Sequence, residues 1–307
     1  MKKYLVTVVG PTAVGKTKVS IQIARHFSTA IISADARQFY KEMNIGTATP
    51  SFEELQSVPH YFINQLSVAQ DYTAGDFEKE AIATLETLFK TQDVVVLVGG
   101  SGLFISALLY GLDVFPEITD AANSELSQLY LSGGIEALQK LLKEKDPDYF
   151  AFVDRNNPQR LLRALSVCLS VGKPYSSFRN KNKVKRNFIP IQIGLQIERK
   201  TLYRQIDERV DKMMQEGLLE EVKTLLPYEH LNPLQTVGYR ELFSYLDGRS
   251  SLEDAVNLIK QHTRNYAKRQ LTWFRKENGI TWFTPAQLEE ILLFINEKIN
   301  SPVKYGA

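Results

Sequence analysis

Gly10-Pro11-Thr12-Ala13-Val14-Gly15-Lys16-Thr17 reads GPTAVGKT, the pattern G-x-x-x-x-G-K-[ST], and its flanks decide the fold. Before it runs Tyr4–Val9 (YLVTVV), apolar and rich in β-branched residues, which reads as a buried strand. After it, residues 18–25 carry apolar side chains at helical spacing. A glycine-rich loop between a strand and a helix N-terminus turns several backbone N–H groups toward phosphate oxygens. Lys16 adds a point charge there, and Thr17 a hydroxyl able to reach Mg²⁺. The alternative, a glycine-rich turn that binds nothing, is disfavoured by the full motif in this context. The loop recognises di- or triphosphate groups, so ATP is one candidate occupant and any other diphosphate is another.

Of the 307 residues 44% are hydrophobic, enough for a sizeable core in one large domain or two modest ones. No apolar run reaches the length of a membrane span, and the chain enters its first strand directly, so neither a spanning segment nor a signal peptide is expected. The single cysteine, Cys168, excludes an intramolecular disulfide framework and a cysteine-cluster zinc site. It lies in an apolar helical stretch and is expected in the core of a cytoplasmic protein. A net charge of +2 argues for no partner, but the distribution is informative. Residues 173–186 hold Lys173, Arg179, Lys181, Lys183, Lys185 and Arg186 without an acid. Residues 262–276 hold Arg264, Lys268, Arg269, Arg275 and Lys276, again without one. Such stretches suit a phosphate-bearing polyanion, or are solvated loops and helix faces.

Residues 30–33 read as a second strand, ending in Ala34-Asp35-Ala36-Arg37-Gln38-Phe39-Tyr40. Ligand crevices of open α/β sheets lie at the carboxyl ends of strands, which puts Asp35 beside the phosphate loop. A carboxylate there is a metal ligand, a base for a substrate proton, or simply a helix cap. Residues 93–98 (DVVVLV) give the strongest buried-strand signal, broken by Gly99-Gly100-Ser101-Gly102, so a hydroxyl stands at a third strand end. No apolar run ending in Asp follows, where an ATPase often holds its Mg²⁺.

At Phe115-Pro116 the character changes, and residues 115–187 read as an all-helical insertion. Within it residues 154–163 (DRNNPQRLLR) open a helix with Pro158 near its first turn, placing Arg160 and Arg163 on one face. Residues 189–197 return to sheet. Helices follow over 199–216, 218–226, 238–246 and 252–276, where Tyr266 and Trp273 interleave with the basic residues. A last strand is expected over 280–283 and a last helix over 288–298. The fold class is therefore α/β: a P-loop NTPase-like core with a parallel sheet (1–114 and 188–307), interrupted by an all-helical insertion domain (115–187). Three functions fit these residues: a small-molecule kinase, an enzyme that moves another group off a diphosphate leaving group, and a nucleic-acid-binding switch.

The motifs GPTAVGKT, SADARQFY, MNIGTATPS, DYTAGDF, VGGSGLFISALLYGL, NPQRLLRAL, TVGYRE and TRNYAKRQLTWFRK occur in this order. Together they resemble the bacterial tRNA dimethylallyltransferases over residues 4 to about 283. The resemblance implies transfer of a dimethylallyl group from dimethylallyl diphosphate to N6 of adenosine 37 in tRNA, with Mg²⁺ assisting. Gly10–Thr17 would then hold the diphosphate, with Thr17 on the metal. Asp35 matches the family's general base. Ser101 matches a position, usually threonine, that contacts the adenosine, and Arg209 an arginine that contacts the diphosphate. Asp35-Ala36-Arg37-Gln38, Ser101, Asn123 and Gln159-Arg160-Leu161-Leu162-Arg163 match tRNA-contacting positions. The expected partners are the tRNA anticodon arm and dimethylallyl diphosphate, with no membrane, and the chain is expected to act as a monomer. Ala36 replaces a common serine, Thr49 a lysine, and Asn123 and Gln205 arginines, which bears on fine tRNA contacts more than on the reaction. Adenylate isopentenyltransferases share the first motifs but would not need the basic helical insertion.

Overall fold

Six parallel strands form a sheet in the order β3-β2-β4-β1-β5-β6 in the computed structural model, which describes residues 2–179 and 184–301. Lys181 and Lys183 of the first basic stretch lie outside the described residues. The strands are β1 Tyr4–Val9, β2 Ile31–Ser33, β3 His60–Tyr61, β4 Val94–Gly99, β5 Ile189–Leu195 and β6 Ile280–Phe283. β1 sits between β4 and β5 and is buried at every position, which is why it reads as an unbroken apolar run rather than an alternating one.

The helices are α1 Lys16–His26, α2 Phe52–Ser57, α3 Ala74–Leu88, α4 Gly102–Tyr110, α5 Asp120–Lys145, α6 Pro147–Phe150, α7 Pro158–Val171, α8 Arg199–Gln215, α9 Leu218–Thr224, α10 Tyr239–Leu246, α11 Leu252–Phe274 and α12 Leu288–Asn300. Their starts follow local chemistry. Thr73 and Asp76 form a capping box at α3, and Asn157 caps α7 with Pro158 in the first turn, where a missing N–H is harmless. From β1 the chain passes through α1 to β2, and β4 later fills the gap between them. The connections leave β1 and β4 toward opposite sides of the sheet, and a crevice opens at such a reversal.

The described residues divide into two compact units, Met1–Leu109 with Arg186–Ala307, and Tyr110–Lys185. The insertion thus begins at Tyr110, where α4 ends, rather than at the composition change near Phe115, and closes at Lys185 rather than 187. Arg186 already belongs to the first unit, where its guanidinium pairs with Glu78 and donates to the Ala107 carbonyl. The first unit buries an apolar cluster from β1, β4, β5 and α1 that includes Val6, Val8, Ile23, Val96 and Ile193. The second unit is all helical. Its α5 is interrupted at Gly134 (φ 62°, ψ −159°), and Leu126, Leu138, Leu142, Leu161 and Leu165 form its core. Cys168 is buried there. No helix among the described residues is long and apolar enough to cross a membrane.

Candidate active site

Register brings the site together. Val9 at the end of β1 pairs with Gly99 of β4, and Ser33 of β2 with Val98, so Gly10, Asp35 and Ser101 all leave one edge of the sheet. Gly15 lies in the left-handed region (φ 98°) and turns the chain into α1. α1 has no side-chain cap and no acid in its first turn, which leaves its N–H groups and positive dipole end for an anion. Val14 is buried in the core, so it serves the loop through its backbone.

The Lys16 ammonium donates to the carbonyls of Gly10 (3.0 Å) and Pro11 (2.8 Å). Loss of hydration pulls it from 10.5 down to about 8, with Asp35 opposing and Arg209 adding to the shift. Arg209 on α8 is lowered for the same reason, with Asp35 opposing. A lysine and an arginine that have lost water and face one carboxylate form a site short of negative charge.

Two cavities meet here. One, of about 430 Å³, is lined by Gly15, Lys16 and Thr17 of the phosphate loop and by Gln205, Glu208 and Lys212 of α8. The other, of about 370 Å³, reaches Ser101 and Arg37 and is apolar along Ile206, Val210, Met213 and Ile259. Asp35, Arg209, Tyr266, Thr12 and Thr47 line both. The structure therefore brings Asp35, Arg209 and the phosphate loop together, with Ser101 at the second cavity. Asp35 caps no regular helix; its Oδ1 accepts from the Arg37 amide (3.1 Å) in a turn. The Ser101 hydroxyl accepts from the Ala36 amide (3.0 Å) and neighbours the Tyr266 phenol. Burial, then Asp35, push that phenol up to about 12, so it keeps its proton at neutral pH.

Gln38, read as an RNA contact, has its amide engaged within the protein. It donates to the carbonyls of Thr47 (3.2 Å) and Ala48 (3.1 Å) and accepts from Ser33 (3.2 Å). Arg37 lines the second cavity, its pKa lowered by burial.

The sequence reading missed Gln270. On α11, one turn from Tyr266, it accepts from the Thr12 amide (2.8 Å) and donates to the Gly100 carbonyl (3.0 Å), tying the phosphate loop to the Ser101 turn. A Cβ on Gly100 would lie 2.2 Å from the Gln270 Nε2, so that glycine is needed for the contact. The usable signal was the four-residue spacing of Tyr266 and Gln270 on one helix face. Arg264, one of the basic residues in the acid-free run 262–276, is paired with Asp207, a carboxylate from another helix that a run-by-run reading of charge cannot see.

The remaining residues read from the sequence as RNA contacts lie in the insertion. Gln159, Arg160 and Arg163 are exposed on α7, and Arg163 stacks over the Phe115 ring (5.5 Å). Leu161 is fully buried, and Leu162 packs partly against the same core, so their side chains hold the helix instead of facing a ligand. Exposed Asn123 accepts from Ser166 (3.0 Å).

Residues 38–277 match the family model described as IPP transferase. The chain is 50% identical to the tRNA dimethylallyltransferase of Flavobacterium johnsoniae over 98% of its length and 100% of the relative's. It is also 50% identical to that of Christiangramia forsetii, with the same coverage. Among solved structures it resembles the tRNA isopentenylpyrophosphate transferase of Bacillus halodurans, with 35% identity and a TM-score of 0.72 over 97% of each chain. It also resembles a eukaryotic dimethylallyltransferase acting on tRNA, with 26% identity and a TM-score of 0.82, covering 99% of this chain and 81% of the other.

Proposed function

The chain belongs to the IPP transferase family and is an enzyme that transfers a dimethylallyl group to tRNA, and we propose that the acceptor is N6 of adenosine 37. The observation that carries this reading is the pair of cavities joined at Asp35. A two-substrate transfer needs a donor chamber and an acceptor chamber with a base where they meet. The phosphate-loop cavity suits the donor, where Gly15, Lys16, Thr17 and Arg209 face the diphosphate. The second cavity, apolar along Ile206, Val210 and Met213 and polar at Ser101, Arg37 and Arg269, suits a nucleobase.

The N6 lone pair forms the bond to the allylic carbon while the carbon–oxygen electron pair departs with the diphosphate. The N6 proton passes to Asp35. The amine is a weak nucleophile because its lone pair is delocalised into the ring, so a base acting as the bond forms contributes most there. Cations that have lost water stabilise the departing negative charge more than exposed ones would. Ser101 orients the acceptor, and Arg37 borders it. The base must leave the anticodon-loop stack to reach this depth. Gln159, Arg160, Arg163 and Asn123 of the insertion are the positions we assign to the anticodon arm.

Among the described residues no group of three or more His, Cys, Asp or Glu could hold a metal. The Thr17 hydroxyl, in the wall of the phosphate-loop cavity, suits Mg²⁺, which takes one or two protein ligands and completes its shell with substrate phosphates and water. Bound through Thr17, Mg²⁺ would neutralise charge on the diphosphate.

The test is transfer of labelled dimethylallyl to a tRNA carrying adenosine 37, or to AMP, with nucleoside analysis of the product. Label is expected as N6-(dimethylallyl)adenosine at position 37, with a loss of about 10³-fold in Asp35→Ala. Label in AMP in place of tRNA, or an unaffected Asp35 variant, would overturn the assignment.

A further inference from the structure

One carboxylate outside the reaction collects four donors. Glu221 on α9 accepts from the backbone amides of Asn44 (2.9 Å) and Ile45 (2.7 Å) through Oε2. Through Oε1 it accepts from the Gly46 amide (3.0 Å) and the Tyr239 phenol (2.7 Å). Tyr239 is fully buried, and a Cβ on Gly46 would lie 2.5 Å from its hydroxyl, so this loop residue has to be glycine for the phenol to reach the carboxylate. Burial and the facing Glu221 charge raise the Tyr239 pKa well above its ordinary value and keep the phenol a donor. Three consecutive amides converging on one carboxylate fix a loop in the way a bound anion fixes a nest.

What this contact gathers is the wall of the second cavity. Gly46 and Thr47 of the loop, Leu218 of α9 and Gly238 of the turn before α10 all line it. The turn has its own anchor, buried Glu241, which accepts from the Gly238 amide (2.8 Å) and bonds His262 (2.6 Å). The same loop presents the Thr47 and Ala48 carbonyls that hold Gln38, three residues beyond Asp35.

We propose that the Glu221–Tyr239 pair positions loop 44–48 and so sets the acceptor cavity beside Asp35, making Glu221 a positioning residue for the transfer. The inference rests on the reading of that cavity as the adenosine side. Phosphate contacts elsewhere dominate tRNA affinity. Loosening the loop therefore misplaces the base and lowers kcat, while donor binding and the KM for tRNA stay where they are.

The experiment compares wild type, Glu221→Gln, Tyr239→Phe and Gly46→Ala in steady-state transfer, with calorimetric titration of dimethylallyl diphosphate and a melting scan of each. We expect kcat to fall about 30-fold in Glu221→Gln and about 3-fold in Tyr239→Phe, which keeps the ring and loses one donor. Gly46→Ala should resemble Glu221→Gln. Donor Kd and stoichiometry, and KM for tRNA, should stay within about twofold. A merely structural role would instead lower the melting temperature and the donor stoichiometry together, and that result overturns the proposal. Unchanged kcat in all three variants overturns it too. A wild type that prenylates no tRNA takes both readings down, whereas an active wild type with silent variants removes only this one.

Discussion

The two units of this chain hold their cations in opposite ways. In the core, Lys16, Arg37 and Arg209 line the joined cavities and are lowered in pKa chiefly by loss of water. In the insertion, Arg155, Arg163 and Arg179 are exposed and lie over the rings of Phe150 (5.3 Å), Phe115 (5.5 Å) and Phe152 (5.1 Å). They pair with no carboxylate among the described residues. A cation that has already lost its water gains most when an anion arrives, and salt screens it little. A guanidinium on an aromatic face keeps most of its hydration, is held in place for about 0.5–1 kcal/mol, and feels ionic strength fully. On the function proposed above, the core acts on one small anion at a fixed point, and the insertion holds an extended polyanion at many points.

The sharpest way to break this contrast is in the core. Lys16→Met should lower kcat for transfer by about 10²–10³-fold at any salt concentration, because a charge at the leaving group is lost where water cannot replace it. A loss that shrinks as salt rises would mean that Lys16 acts like a surface charge.

A titration gives the next largest effect. Lys16 sits at about 8 in the free protein, so it is mostly charged at pH 7 and mostly neutral at pH 9. Diphosphate needs the charged form, so binding above that pKa takes up a proton. The calorimetric Kd for dimethylallyl diphosphate should weaken about tenfold from pH 7 to pH 9. Proton uptake on binding should be visible in buffers of different ionisation enthalpy, and both signals should disappear in Lys16→Met.

The smallest effect belongs to the insertion. Arg160→Ala and Arg163→Ala should each raise the KM for tRNA severalfold, with kcat unchanged, and lower the salt slope of binding by about one. A drop in kcat at saturating tRNA would place these arginines at the chemistry and dissolve the distinction between the units.

Much of this was readable along the chain. The YLVTVV run, the phosphate loop, the strand at 94–99 and the helical tract of the insertion all follow from short-range patterns, since burial on both faces, loop geometry and helical period each have a local signature. Asp35 and Ser101 could be picked out because strand ends are visible in sequence and ligands gather there. Gln270 and Glu221 could not. A glutamine in a basic helix and a glutamate in an acidic first turn look like solvated residues until the chain places Thr12, Gly100 or the amides of 44–46 against them.

Leu161 and Gln38 show the converse. Both stand in motifs that promise RNA contact, but one side chain is in a core and the other is held by two carbonyls. Sequence by itself determined the elements, their order, the phosphate loop and the carboxylate beside it, because those depend on residues within a few positions of one another. Only the tertiary structure decided which polar side chains are free to meet a substrate and which are already satisfied. That depends on partners brought across separations such as the 258 residues between Thr12 and Gln270 or the 177 between Asn44 and Glu221, and no local pattern encodes such distances.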